Sequence, residues 1–289
     1  MAKPVKILGN DLTQSQSVTD GSFSQEIVIQ GLNLLQSQSI ETGEIIQDIE
    51  IDIIGDNLSQ SQTLLMGVII QTYEIQGNYL TQNQTVTSGL IEQVQTIIGE
   101  DLTQIQNTRE GLISQYHLIA GDNTNQNHTL ESGVISQINL IQGDNLEQSQ
   151  TLNNGTLSTE STFSGEYLTQ NQTIQIGSIS QTHIIEGQDI NQSNSLDVGL
   201  LTQVNEITGV NLNQTQSIES GLIYQIHTIE GNGLFQTQTL SGDFEVMNQS
   251  FELFGSNIMM DVNLNRSQEN IIFVPMHNCC NVTIQNKNE

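Results

Sequence analysis

Basic residues are scarce in this chain: five Lys and Arg stand against 32 Asp and Glu, a formal net charge of -27 over 289 residues. Such a surface repels phosphate backbones, which excludes nucleic acid as a partner, and it disfavours anionic membrane surfaces for the same reason. Long apolar runs are missing too. None approaches the roughly 18 residues that a bilayer-crossing helix requires, so no membrane span is expected. Cysteine occurs twice, as the neighbours Cys279 and Cys280 near the C-terminal end. Adjacent cysteines rarely bridge each other, and two cannot staple a chain of this length. Also absent are HExxH, paired CxxC, a phosphate-binding glycine loop and a nucleophile elbow, so neither enzyme activity nor a cofactor is expected. The start, Met1-Ala2-Lys3-Pro4-Val5-Lys6-Ile7-Leu8, has no room for the apolar segment of about 7–15 residues in a secretory signal, and an ordinary export signal is not expected.

Gln, Asn and Ser are abundant, as in disordered chains, but the hydrophobic fraction of 35% is strictly placed. Glycine sets the frame. Gly9, Gly31, Gly55, Gly77, Gly99, Gly121, Gly143, Gly165, Gly187, Gly209, Gly231 and Gly255 are spaced by 22, except for 24 at the second and last steps. A second series, from Gly21 and Gly43 to Gly221 and Gly242, lies between them, and only Gly233 of the chain's 24 glycines falls outside both. Between glycines the residues alternate with period two. In the unit starting at Gly165, Leu168, Gln170, Gln172 and Ile174 share one side of the first segment, and Ile179, Gln181, His183 and Ile185 share one side of the second. Such alternation between Gly/Asn/Asp turns reads as strand, whereas a helix would need apolar residues three and four apart and few glycines.

Two short strands per 22 residues cannot close a globule, but they make one flattened coil of a β-solenoid, stabilised by stacking on its neighbours. The expected fold is therefore all-β, a two-strand-per-coil β-solenoid (a β-arch stack) of about eleven 22-residue repeats. Its parts are an N-terminal extension (1–8), the repeat domain (9–254), and a degenerate last rung with a C-terminal cap or docking segment carrying the vicinal cysteines (255–289). Both prolines, Pro4 and Pro275, fall outside the repeat, where no ladder hydrogen bond is lost.

The least variable inward side chains are amides. One first-strand series is Gln14, Gln36, Gln60, Gln82, Gln104, Gln126, Gln148, Gln170, Gln192, Gln214 and Gln236. Two residues on come Gln16, Gln38, Gln62, Gln84, Gln106, His128, Gln150, Gln172, Asn194, Gln216 and Gln238. The return strand carries Gln25, Gln47, Gln71, Gln93, Gln115, Gln137, Thr159, Gln181, Gln203, Gln225 and Gln249. Folding about the second glycine would face Leu168 with Ile185, Gln170 with His183, Gln172 with Gln181 and Ile174 with Ile179. The interior is then apolar at both ends with an amide layer between, in which each Gln bonds the same Gln one rung away. An unmade buried bond costs about 1–3 kcal/mol, so the amides would lock the register. Stacked amides of this kind stabilise cross-β fibres.

A strand–turn–strand repeat of this period with inward Gln at fixed positions resembles the curlins, subunits of bacterial curli fibres. The resemblance covers about Gly9 to Phe254 and lies in period and Gln ladder. Curlin repeats carry Gln-x-Gly and Asn-x-Ala, whereas the unit here is Leu-x-Gln-x-Gln-x-Ile followed by Ile-x-Gln. It implies subunits that stack end to end into extracellular amyloid-like fibres of a biofilm matrix. The expected partner is thus the chain itself, on the cell or spore surface or outside the cell, and otherwise in the cytoplasm. An alternative is a monomeric binding surface, ice-binding or adhesive, on the outward Thr/Ser/Asn face, as in Thr169-x-Asn171-x-Thr173. A polysaccharide-lyase-like solenoid would need a recurrent carboxylate cluster, and none recurs.

Other candidates have plainer readings. His117, His183 and His227 occupy the return-strand position of Asn139 and Asn205, and His128 that of a first-strand Gln, which makes them members of the amide layer and not metal ligands. The Gly-Asp-Asn turns share composition with calcium-binding β-roll turns but lack their paired glycines and reliable acid, so turn chemistry suffices. Cys279 and Cys280 suit intermolecular disulfides, or form a reduced, incidental pair.

Overall fold

A computed structural model describes residues 5–24, 27–241, 244–255, 258–264 and 280–286. The strands are β1 (Val5–Leu8), β2 (Asp11–Ser24), β3 (Ile27–Gln30), β4 (Asn33–Ile54), β5 (Asn57–Gln76), β6 (Tyr79–Gln142), β7 (Asn145–Leu240), β8 (Phe244–Gly255), β9 (Ile258–Leu264) and β10 (Cys280–Asn286). Among the described residues, no helix is long and apolar enough to cross a membrane. The fold is a parallel β-solenoid. β6 and β7 run through several coils each, because the glycine corners bend the chain without leaving extended backbone.

Nine corner glycines, Gly43, Gly67, Gly89, Gly111, Gly133, Gly155, Gly177, Gly199 and Gly221, have φ between 138 and 156 degrees, a region that essentially only glycine tolerates. Sterics add a second demand: a β-carbon on Gly67 would run into the Gly43 carbonyl oxygen of the preceding coil. About nine turns follow from these corners, against the eleven expected. The difference is one corner at each end, Gly21 and Gly242, and Gly242 lies outside the described residues.

The chain divides between Leu146 and Glu147 into two compact units. In the first, like pairs with like: Gln36 is opposite Gln60 and Gln60 opposite Gln82, Gly43 opposite Gly67 and Gly67 opposite Gly89, all in parallel register. The two extra residues of the second repeat are absorbed by a register shift between Gln47 and Ile51, after which pairing resumes at Ile51–Tyr73. A bulge there keeps the corners aligned, at the cost of one irregular stretch. In the second unit, β8 pairs with residues 221–231 of β7, with a shift between Ile223 and Tyr224. Beyond Gly255, β9 pairs in register with residues 234–240, and β10 pairs with β9. Stacking thus outlasts the glycine frame: Met260 and Val262 lie opposite Gln236 and Gln238.

Both units carry apolar side chains at the two ends of each coil and amides between. In the first unit Leu64, Ile69, Val86 and Ile91 are buried beside the positive-φ corners, and Leu80, Ile97, Leu102 and Ile119 at the other end. One column has a defect. Thr124 stands where the neighbouring coils have Leu102 and Leu146, its hydroxyl is buried without a partner, and a cavity of about 30 Å³ adjoins it. Thr124→Leu should stabilise the protein by about 2 kcal/mol, through removal of an orphaned hydroxyl and added apolar burial. The check is the midpoint of urea unfolding at pH 7; an unchanged or lower midpoint would show that the site cannot hold a leucine.

Candidate functional site: ladders of buried amide

Each inward amide position becomes a column along the stack. In the first unit Gln60 Nε2 donates to Gln36 Oε1 at 3.0 Å, Gln82 to Gln60 at 2.8 Å, Gln104 to Gln82 at 2.9 Å and Gln126 to Gln104 at 2.7 Å. In the second unit Gln170 donates to Gln148, Gln192 to Gln170 and Gln214 to Gln192, at 2.8–2.9 Å. The neighbouring first-strand column repeats this: Gln62 to Gln38, Gln84 to Gln62 and Gln106 to Gln84, then Gln172 to Gln150 and Gln238 to Gln216. The return strand adds Gln93 to Gln71, Gln115 to Gln93 and Gln137 to Gln115, then Gln203 to Gln181 and Gln225 to Gln203. In every one of these bonds the later coil donates and the earlier accepts. The amide dipoles of each unit therefore align, as peptide dipoles do in a helix.

Amides also meet across the interior. Gln225 donates to Gln216 at 2.9 Å within one coil, and Gln104 reaches Gln95 of the preceding coil at 2.8 Å. Gln170 meets His183 at 3.4 Å, the facing pair that folding about the corner requires.

The series expected from the sequence is not described throughout. Gln25 and Cys279 lie outside the described residues. Gln16, Gln47, Gln249 and Cys280 lie in strands whose side chains at those positions are likewise outside the description. Gln14 is half-buried, and neither its Oε1 nor the Nε2 of Gln36 has a partner. Gln236 is buried with both amide atoms unpartnered.

Substitutions interrupt the columns, and each leaves a mark. His128 follows Gln106, whose Oε1 has no donor. Asn194 is one methylene too short: its own amide atoms and the Oε1 of Gln172 are all unpartnered. Thr159 replaces a return-strand Gln, leaving Gln181 Nε2 unpartnered, and its hydroxyl meets His183 Nε2 at 3.3 Å.

The histidines sit wholly inside. His117 Nδ1 accepts from Gln126 Nε2 at 2.9 Å, His128 Nδ1 from Gln137 Nε2 at 3.1 Å, and His227 Nδ1 from Asn205 Nδ2 at 3.2 Å. An amide nitrogen only donates, so each ring must present a bare nitrogen there and stay neutral. Burial lowers the pKa of His117 to about 4, partly opposed by a bond to Asn139. Burial and then the nearby His117 lower His128 to about 3, opposed by Gln137. Burial alone lowers His183 to about 4, and burial with His183 lowers His227 to about 3. Among the described residues, no group of three or more His, Cys, Asp or Glu is placed to hold a metal ion.

A further ladder, not anticipated from the sequence, runs along an exposed corner. Asn33 donates to Asp11 at 2.6 Å and Asn57 to Asn33 at 2.8 Å; Asn123 donates to Asp101 and Asn145 to Asn123; Asn211 donates to Asp189. The signal was available in the repeat: Asp opens each run, Asn continues it, and Tyr79 and Tyr167 end two of them. Aspartate only accepts, so it can only start a ladder whose bonds all point one way. No protein-family model, no curated protein and no solved structure matches this chain.

Proposed function

We propose that the chain is a non-enzymatic structural protein that stacks end to end into curli-like fibres outside the cell or on a cell or spore surface. The observation that carries this reading is the common direction of the amide bonds. The columns of each unit share one polarity, which a second copy stacked in the same orientation would keep; at the C-terminal end Met260 and Val262 lie over Gln236 and Gln238, so there the contact would be made by backbone edges. Strand edges support it: among the described pairings, β1 and β2 are bonded on one side only, as are β8 and β10. Open edges of this kind template further pairing.

Charge opposes association, at -27 per copy. Raising ionic strength from about 0.01 M to about 0.15 M shortens the screening length from about 30 Å to about 8 Å, and filament growth should accelerate several-fold. Negative-stain micrographs with light scattering test both parts. Filaments should appear, and sooner in salt; particles that stay single at every ionic strength and protein concentration would reject the reading.

A second reading, a monomeric ice-binding or adhesive surface, is favoured by the outward Thr81, Asn83 and Thr85, repeated as Thr169, Asn171 and Thr173. Thermal hysteresis from single particles distinguishes it.

A further inference from the structure

The outward residues of the return strands change character along the chain while the inward ones keep theirs. In the first unit, residues 68–76, 90–98, 112–120 and 134–142 form four consecutive return strands. Val94, Tyr116 and Ile138 make a column on their outer face and are 45%, 45% and 47% exposed. Leu118 and Leu140 flank that column, half-buried, and Leu112 is exposed at its corner side. Nothing in the repeat demands apolar residues here. In the second unit the same outward positions hold Ser158, Glu160 and Thr162 in one coil and Ser180 and Thr182 beside exposed Ile184 in the next, before apolar residues return at Leu200, Val204 and Leu222, all on the same buried interior. The repeat supplies its own control: the fold tolerates hydroxyls and carboxylates where the first unit places Val, Tyr, Ile and Leu.

Charge narrows what can cover this face. Its outward positions include two carboxylates, Glu74 and Glu92, and the strands at 112–120 and 134–142 have none, in a chain with 32. A body of the same strong negative charge is repelled by most of the surface and least by this part. Anionic bilayers meet the same repulsion as whole bodies and offer no regular relief to match. A second copy offers both the neutral face and the spacing, since its outward side chains also repeat every coil, about 4.8 Å along the stack. Area agrees. Four coils at that spacing, with strands about 26 Å long, present about 500 Å² per copy or about 1,000 Å² per pair, which reaches the lower bound for a specific interface.

We propose that this return-strand face of the first unit is a pairing surface for a second copy, the two solenoids lying back to back with Tyr116 and Ile138 as central anchors. Like faces meet like, as a two-fold contact requires, and the side chains interdigitate as between packed sheets. The pairing is lateral and does not depend on end-to-end growth.

The test is the mass of the full chain in solution, by analytical ultracentrifugation in moderate salt at micromolar protein. The wild type should sediment as a dimer. The double variant Tyr116→Thr, Ile138→Thr should raise the dissociation constant about a hundredfold or more, as loss of two anchors does. Threonine is what this column carries at Thr72 and Thr182, so the variant keeps its fold, verified by an unchanged circular dichroism spectrum and urea midpoint. Where filaments form, the wild type should show paired solenoids and the variant single ones of similar length. End-to-end stacking can then fail while dimers persist, and pairing can fail while filaments persist. A wild type that is monomeric throughout, or a variant that pairs as tightly as wild type, overturns the proposal, and the first result would leave the face to some other partner.

Discussion

Taken from about pH 6.5 to about pH 4, the protein should lose on the order of 10 kcal/mol of folding stability through four histidines alone. An unfolded histidine titrates near 6.5, while His117 and His183 are held at about 4 and His128 and His227 at about 3. Folded values below unfolded ones mean that the unfolded chain binds more protons throughout this window. Stability is therefore whole above about pH 6.5 and drains away as pH falls toward the folded values. A shift from 6.5 to about 4 is worth about 3 kcal/mol per ring, and four rings rival the entire stability of an ordinary domain. The geometry agrees with the sign, because a charged ring would turn an N–H toward the amide N–H groups of Gln126, Gln137 and Asn205. Carboxylate protonation acts in the other direction by relieving the -27 charge. A variant separates the two: His117→Asn, His128→Gln, His183→Asn and His227→Asn together, each residue one that its column already uses. Urea unfolding should show the wild type weakening steeply between about pH 6.5 and about pH 4.5, and the variant changing much less. Parallel pH profiles for the two proteins would refute the assignment.

Much of this arrangement is legible without coordinates. Glycine every 22 residues and the shared parity of Leu168, Gln170, Gln172 and Ile174 leave only one economical way to bury the apolar residues, and that way puts the amides inside. Parity is a strong signal because a one-residue slip turns every side chain to the opposite face. The corner-side ladder of Asn33 on Asp11 was harder to see, since Asp and Asn at turns are sufficiently explained by turn chemistry alone. Bond direction is not encoded in residue identity, because a Gln column satisfies itself equally well pointing either way. Nor did the sequence reveal that stacking continues into β9 and β10. Backbone pairing needs extended chain, and Met260 or Val262 provides that as well as Gln does. The broken positions are intermediate: His128, Thr159 and Asn194 are visible as exceptions in their series, but only the geometry tells which neighbour each leaves unpaired.

Replacing Gln104 by Leu should destabilise the protein by about 3 kcal/mol, although leucine has similar volume and is the better apolar residue. Gln104 gives its Nε2 to Gln82 Oε1 and Gln95 Oε1 and accepts from Gln126 Nε2, so the change strips three bonds and leaves two buried acceptors bare. Gln126 keeps His117 as a partner, which limits the loss on that side. Asn194→Gln should do the reverse and stabilise by about 2 kcal/mol, because the added methylene carries the amide to Gln172 Oε1 and gives partners to groups that now have none. If apolar burial alone held the coils together, the signs would differ: the leucine variant would be at least as stable as wild type, and the glutamine variant would gain little. Urea unfolding of both variants at pH 7, with unchanged m-values as the sign that the folded state is retained, decides between these accounts. A leucine variant with the wild-type midpoint would mean that the amides fill space without bonding along the stack, and the shared polarity that favours stacking in one orientation would go with them.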